Sequence, residues 1–101
     1  MRYVFVDESW EDYLYWQETD KKMLRRINEL LKDISRSPFS GTGRPEPLKF
    51  KYKGFWSRRI TEEHRLIYQV KEDAILIAKC RFHYDQNKTP RHRGLVARAL
   101  S

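Results

Sequence analysis

Residues 55–84 read FWSRRITEEHRLIYQVKEDAILIAKCRFHY, and this stretch decides the fold. Its β-branched and aromatic side chains are concentrated in three runs, at residues 55–60, 65–70 and 74–84. The second run alternates as a half-buried strand does, with Leu66, Tyr68 and Val70 on one side. The polar turns between the runs are short, and such turns join antiparallel neighbours. The stretch therefore predicts an antiparallel meander.

Two helices are predicted before this meander. Asp7 and Ser9 are candidate N-caps of the first, and Asp12 follows Ser9 at the spacing of a weak capping box. We place one face of this helix at Trp10, Tyr13, Leu14 and Gln17. Asp20 can end the first helix and cap the second, and Pro38 stops the second. The second helix is amphipathic, with spacing i, i+4, i+7, i+8, i+11 at Met23, Ile27, Leu30, Leu31 and Ile34.

These elements predict one small α+β domain. A short strand at residues 3–6 precedes the two-helix hairpin, and the helices pack on one face of the sheet. Residues 37–47 contain two Gly and three Pro, and we expect no regular structure there. A chain of 101 residues leaves no room for a separate cofactor-binding half.

The positive charge lies in the second half of the chain. The net charge is +7, and residues 36–84 hold 11 basic and 5 acidic side chains, whereas residues 1–35 hold 6 and 8. A basic face attracts phosphate backbones. A solvated surface that aids solubility is the simpler alternative.

Several sequence features are missing, and their absence limits the cellular compartment and the kinds of metal or cofactor site that we expect. Cys80 is the only cysteine, which excludes an intrachain disulfide and a multi-cysteine metal site and favours a buried structural thiol. Four acidic residues stand among the first twelve, where a signal peptide would need an apolar stretch, and no apolar run can span a bilayer. We expect a cytoplasmic protein without zinc, P-loop or dinucleotide motifs.

Acid–base residues remain as candidates for chemistry. Glu46 lies between Pro45 and Pro47, which hold it in an extended backbone, so its carboxylate can serve as a general base. His83 lies at the predicted end of the last strand, and histidine is a residue type that can exchange a proton with a substrate near neutral pH. Tyr84 can stack on a base. Taken singly, a residue of each of these types is more often a surface or core-edge residue than a functional one.

Cationic residues accompany them. Arg65 starts the second predicted strand of the meander, and Arg grips phosphate in a bidentate manner that Lys cannot. Further basic residues lie nearby in sequence, at Lys49, Lys51, Lys53, Arg58 and Arg59. The alternative for each is an exposed salt-bridge former, which we expect for most of them.

Four segments together resemble one family. They are ESWEDYLYWQETDK at residues 8–21, PEPLK at 45–49, GFWSRRITEEHRLIY at 54–68 and CRFHY at 80–84. They resemble the first helix, catalytic loop, central hairpin and terminal strand of the YoeB (Txe) toxins of the RelE superfamily. The resemblance runs over residues 1–84, and several long segments in the right order make it specific.

The resemblance implies a compact RelE-like fold and an endoribonuclease that enters the ribosomal A site and cleaves messenger RNA. It implies a homodimer, neutralised by a YefM-like antitoxin, whose joint complex binds operator DNA. The family's active-site residues fall here on Glu46, Arg65, His83 and Tyr84, with Lys49 and Arg59 as helpers at the phosphate. Glu46 would be the base and His83 the acid, with no metal or other cofactor and a 2′,3′-cyclic phosphate product.

Two expectations stay open at this point. The family's chains normally end at or just after the His-Tyr pair, whereas residues 85–101 form a basic C-terminal extension here, which we expect to be peripheral to an mRNA interferase domain at residues 1–84. The runner-up function is a non-enzymatic partner of an antitoxin that binds RNA or operator DNA. The intact set of four site residues favours the enzyme.

Overall fold

A computed structural model describes residues 1–83, and over these residues the chain forms two helices and a five-stranded sheet. The elements in chain order are β1 (Arg2–Phe5), α1 (Asp7–Thr19), α2 (Lys21–Arg36), β2 (Glu46–Pro47), a 3-10 turn (Phe50–Tyr52), β3 (Trp56–Arg59), β4 (Arg65–Val70) and β5 (Ala74–Lys79). The α+β, RelE-like expectation is confirmed.

The sheet has the strand order β1-β5-β4-β3-β2. The predicted meander is confirmed: β3 pairs with β4 and β4 with β5, both antiparallel, with Arg59 opposite Arg65 and Val70 opposite Ile75. β1 pairs in parallel with β5, placing Tyr3 beside Ile75. This crossover is why the helical hairpin, which connects β1 to the rest of the sheet, lies across one sheet face.

The second helix folds as its periodicity predicts. The Asp20 carboxylate caps it by accepting hydrogen bonds from the backbone N–H groups of Lys22 and Met23, each at 3.1 Å. Its apolar stripe is buried at Ile27, Leu30, Leu31 and Ile34. The stripe packs on the inward side chains of β4 and β5, which are Leu66, Tyr68, Ile75 and Ile77. Neither helix within residues 1–83 is long and apolar enough to cross a membrane.

The predicted N-caps of the first helix are wrong, and of its predicted face only Tyr13 packs against the core. Val6 occupies the N-cap without a side-chain hydrogen bond, so neither Asp7 nor Ser9 caps the helix. The buried residues are instead Ser9, Asp12 and Trp16, while Trp10 and Leu14 are largely exposed. The reason is that α1 packs through polar groups. Their partners lie on the main chain of β5 and of the residue after it.

Those bonds are short. The Ser9 hydroxyl donates to the carbonyl oxygen of Ile77 at 2.6 Å, and the Asp12 carboxylate accepts the backbone N–H of Cys80 at 3.1 Å. The Trp16 indole N–H donates to the carbonyl oxygen of Cys80 at 2.9 Å. Cys80 is fully buried as predicted, and this burial raises the pKa of its thiol.

β1 and β3 lie within one residue of their predicted limits, whereas two strands differ more from prediction. β5 ends at Lys79, so His83 does not end a strand, because side chains of α1 take up the backbone groups of Cys80. Within the loop expected to be irregular, Glu46 and Pro47 pair with Ser57 and Trp56 as β2. A proline is tolerated there because β2 lies at the edge of the sheet.

Candidate active site

Glu46, Arg59 and Arg65 share the sheet face that the helices leave uncovered. Leu66 faces the helices, so its neighbour Arg65 points to the opposite face, and Arg59 lies directly across from Arg65. Glu46 lies across from Ser57. Ser57 precedes Arg59 by two residues on β3, so both belong to the same face of the sheet. We call this side, marked by Glu46, Ser57, Arg59 and Arg65, the distal face.

The turn between β3 and β4 holds the Arg65 guanidinium. Nη1 donates to the carbonyl oxygens of Thr61 at 2.6 Å, Glu62 at 3.0 Å and His64 at 3.1 Å. Arg65 is only 8% exposed, and carbonyl oxygens supply the partners that a buried cation needs. A bidentate grip on phosphate would use Nη2 and Nε, which these three bonds leave out.

His83 reaches the same turn. Its Nε2 lies 2.9 Å from the carbonyl oxygen of Glu62, the oxygen that also accepts from Arg65. A carbonyl oxygen only accepts hydrogen bonds, so Nε2 of His83 carries the proton in this arrangement. His83 is exposed, and it therefore presents a proton donor at the surface, beside the largely buried guanidinium of Arg65.

Arg59 completes this cationic group. Its Nη1 lies 3.4 Å from Oε1 of Glu62, whose side chain is 93% exposed. An ion pair this exposed contributes roughly 0–1 kcal/mol, so an incoming phosphate can replace the Glu62 carboxylate at little cost. Arg59, Arg65 and His83 thus converge around one residue of the turn.

Glu46 stands apart from that group on the distal face. Strand spacings of about 4.8 Å and a rise of about 3.3 Å per residue place its Cα roughly 12 Å from that of Arg65. Lys49 is exposed and precedes the 3-10 turn that follows β2. Tyr84 lies outside the described residues.

Arg58 is a structural residue, which corrects its interpretation as an exposed cation. It is fully buried, and its guanidinium binds the Asp33 carboxylate, the Tyr68 hydroxyl and three carbonyl oxygens in the loop before β2. The loop acceptors are Ser37, Ser40 and Thr42. The hydrogen bond from Arg58 is the main reason that the pKa of Asp33 lies below its usual value. Arg58 thereby ties the loop that leads to Glu46 onto α2 and β4.

His64 is a site-adjacent residue that the sequence analysis passed over as part of a polar turn. It is 8% exposed, and its Nδ1 accepts the backbone N–H of Phe82 at 2.7 Å. The sequence does contain a signal for this burial. His64 precedes Leu66 and Tyr68 at a spacing of two residues, so it belongs to the same side of the alternating strand pattern as these buried residues.

Comparisons with known proteins identify the family to which this chain is similar. A family profile described as "YoeB-like toxin of bacterial type II toxin-antitoxin system" matches residues 5–84. Toxin YoeB of Escherichia coli strain K12 is 63% identical over 84 residues, which are 83% of this chain and 100% of that protein. Toxin YoeB of Synechocystis is 54% identical over 86 residues, 85% of this chain and 100% of that protein.

Solved structures give the same match. A YoeB/ParE toxin from Agrobacterium tumefaciens superposes with a TM-score of 0.81 at 48% identity, covering 83% of this chain and 100% of that chain. The toxin in a heterotetrameric YoeB-YefM complex from Staphylococcus aureus superposes with a TM-score of 0.79 at 48% identity, covering 83% and 98%. YafQ of E. coli, at 17% identity and a TM-score of 0.64, covering 82% and 94%, shares the fold.

Proposed function

Since this chain belongs to the family of YoeB-like toxins of bacterial type II toxin–antitoxin systems, we propose that it is an endoribonuclease that cleaves messenger RNA in the ribosomal A site. The observation that carries the proposal is the meeting of Arg65 and His83 at the Glu62 carbonyl oxygen. That meeting supports the proposal because it puts a proton donor beside a cation. Glu46 lies on the same sheet face.

The proposed reaction uses the nucleophile that RNA itself carries. Glu46 removes the proton of a 2′-hydroxyl, and the 2′-oxygen forms a bond to the adjacent phosphorus. The bond from phosphorus to the 5′-oxygen breaks, and that oxygen takes the proton from Nε2 of His83. The products are a 2′,3′-cyclic phosphate and a 5′-hydroxyl end. Every atom and proton is then accounted for without a metal or other cofactor.

The cations act on the phosphate in this proposal. Arg65 stabilises the negative charge that builds on the phosphate oxygens during attack, and Arg59 and Lys49 add to the same field. The buried setting of Arg65 strengthens this effect, because fewer water molecules screen the guanidinium. Tyr84 orients the nucleotide by stacking.

The proposed partners follow from the relatives. A relative from S. aureus has been solved as a dimer and in complex with YefM, and we extend both to this chain as a homodimer and a YefM-like antitoxin. The ribosome and messenger RNA are the proposed targets, and operator DNA is the proposed ligand of the toxin–antitoxin complex. Action on translating ribosomes also implies a cytoplasmic location, away from membranes.

Primer extension on a messenger in a purified translation system tests the enzymatic proposal. The wild-type chain should produce discrete cuts within the A-site codon. Glu46→Ala and His83→Ala should each lower the cleavage rate by about 10²-fold or more, the usual contribution of a general acid or base. Glu72→Ala, which removes an exposed carboxylate from the turn between β4 and β5, is the matched control and should cut normally.

Two outcomes would contradict the proposal. If the wild-type chain makes no cuts yet binds RNA or operator DNA with an antitoxin, the protein is the non-enzymatic binding partner. If the Glu46 and His83 variants cut as fast as the Glu72 control, the protein cleaves RNA with other residues.

A further inference from the structure

His64 is buried between two aromatic rings beside the candidate active site. Its ring lies edge-on to Trp16 of α1, with centroids 4.8 Å apart, and 5.7 Å from the ring of Phe82. The turn is itself held in shape, since Oγ1 of Thr61 accepts the backbone N–H groups of both Glu63 and His64 at 3.2 Å. The imidazole therefore has a fixed place and orientation.

The backbone just before His83 is held by this turn. The N–H of Phe82 donates to Nδ1 of His64 at 2.7 Å, and the carbonyl oxygen of Phe82 accepts the N–H of Arg65 at 3.2 Å. Phe82 adopts a φ of +66°, a left-handed conformation that costs free energy in a residue with a side chain. The hydrogen bond to His64 offsets part of that cost. The N–H and the carbonyl oxygen of Phe82, which together fix the direction in which the chain enters His83, are thus both hydrogen-bonded.

We infer that His64 is a positioning residue: its unprotonated Nδ1, by accepting the Phe82 N–H, fixes the backbone turn that points the His83 imidazole at Glu62 and Arg65. The consequence for cleavage rests on the proposed function, whereas the placement of His83 does not. Protonation of Nδ1 would turn the acceptor into a donor facing another donor. The bond to Phe82 would then be lost, and His83 would be released from the turn.

The charged surroundings of His64 favour the state with a free Nδ1. Burial lowers the pKa of His64, and the charges of Arg81, His83 and Arg65 lower it further, whereas Glu63 raises it. Nε2 of His64 lies 3.8 Å from Oε1 of Glu63 and can keep its hydrogen toward that carboxylate. The helix side contributes the uncharged ring of Trp16. Neutral His64 is therefore the resting form near pH 7.

Two variants separate the acceptor from the ring. His64→Asn can place its side-chain oxygen where Nδ1 stands and keeps the acceptor without the ring. His64→Phe keeps the ring against Trp16 but leaves the Phe82 N–H without its acceptor. Each is compared with the wild-type chain for cleavage of ribosome-bound messenger and for hydrogen exchange of the Phe82 amide by NMR.

The inference predicts different outcomes for the two. His64→Phe should lose about tenfold or more in kcat, because a misplaced catalytic group is costly, with KM changed less than about twofold. Its Phe82 amide should exchange faster. His64→Asn should stay within about threefold of the wild-type kcat and keep the amide protected. The inference is overturned if His64→Phe retains both kcat and amide protection, or if His64→Asn, while folded, loses as much as His64→Phe.

A third readout covers the case in which His64→Phe does not fold. The Phe82 amide signal should shift as the pH is lowered through the pKa of His64 in the wild-type chain, and should not shift in the same range in His64→Asn. An identical titration in both would overturn the inference. If the wild-type chain cuts no RNA at all, the proposed function fails alone, because the amide and the NMR signals of the His83 ring still report whether His64 holds the segment.

Discussion

Single hydrogen bonds from side chains to the main chain place the candidate acid. β5 stops pairing at Lys79, and from there Asp12 and Trp16 hold Cys80 while His64 holds Phe82. Such bonds leave no trace in hydrophobic periodicity, because they join residues far apart in sequence and involve polar side chains on buried faces. This is why the residue types of the site were predictable, whereas the partners that orient His83 were not.

The stability of the fold should depend on pH through His64. Its pKa is lowered on folding from the ordinary value of 6.5, so its contribution to stability is complete above about pH 6.5 and is lost as the pH falls through the folded-state pKa. His64→Asn does not titrate there. The difference in free energy of unfolding between the two chains should therefore shrink between pH 7 and pH 5, as measured by urea titrations. A difference that stays constant would show that His64 is not buried in its neutral form.

At the scale of elements, α2 and β4 formed where the sequence predicted them, because strong periodicity and clear end signals agree there. The limits of β4 match the prediction, and the cap and buried stripe of α2 do as well. α1 has a weak apolar pattern and is buried at Ser9 and Asp12, so apolar spacing could not identify its buried side. β2 was missed because it has only two residues, Glu46 and Pro47, and a proline is not typical of a strand.

The cap of α2 should be measurable. Asp20→Ala removes the acceptor of two backbone N–H groups and should lower the free energy of unfolding by about 1 kcal/mol. Asp7→Ala is the matched control, because Asp7 lies in the first turn of α1 but is not its cap, and it should cost less than about 0.5 kcal/mol. Equal losses in urea unfolding would contradict the assignment of Asp20 as the cap.

Arg58 should matter far more to stability than its neighbour. Arg58→Leu leaves the Asp33 carboxylate and three loop carbonyl oxygens without the guanidinium that binds them. It should therefore lower the free energy of unfolding, measured by urea titration, by about 3 kcal/mol or more. Arg59→Leu removes a partly exposed ion pair and should cost less than about 1 kcal/mol. If both variants lose the same stability, Arg58 does not clamp the loop before β2.

At the scale of the whole molecule, the residues of the core and the excess of basic residues are distributed differently along the chain. The buried apolar core described within residues 1–83 draws on both helices and on β4 and β5, whereas the basic excess belongs to residues 36–101. The sequence predicted the single α+β domain because one set of apolar patterns accounts for one core. The separation of residues 85–101 as an extension stays a prediction.

Removal of the extension tests that division. A chain ending at residue 84 should keep its free energy of unfolding within about 0.5 kcal/mol, because the described core ends at Cys80. Its cleavage pattern in primer extension should keep the same sites, while loss of four basic side chains weakens RNA binding in a salt-dependent way. Failure of the shorter chain to fold would place residues 85–101 within the domain.

The central claim is that the protein cleaves RNA through the substrate's own 2′-hydroxyl. The most direct measurement uses a messenger with a single 2′-deoxynucleotide on the 5′ side of the mapped cut, programmed into the A site and compared with the all-ribose messenger. Cleavage at this position should disappear, whereas the ribose messenger should be cut and should end in a 2′,3′-cyclic phosphate. Cleavage of the deoxy-substituted messenger at the same position and rate would contradict it, because the attacking oxygen would then have to come from elsewhere.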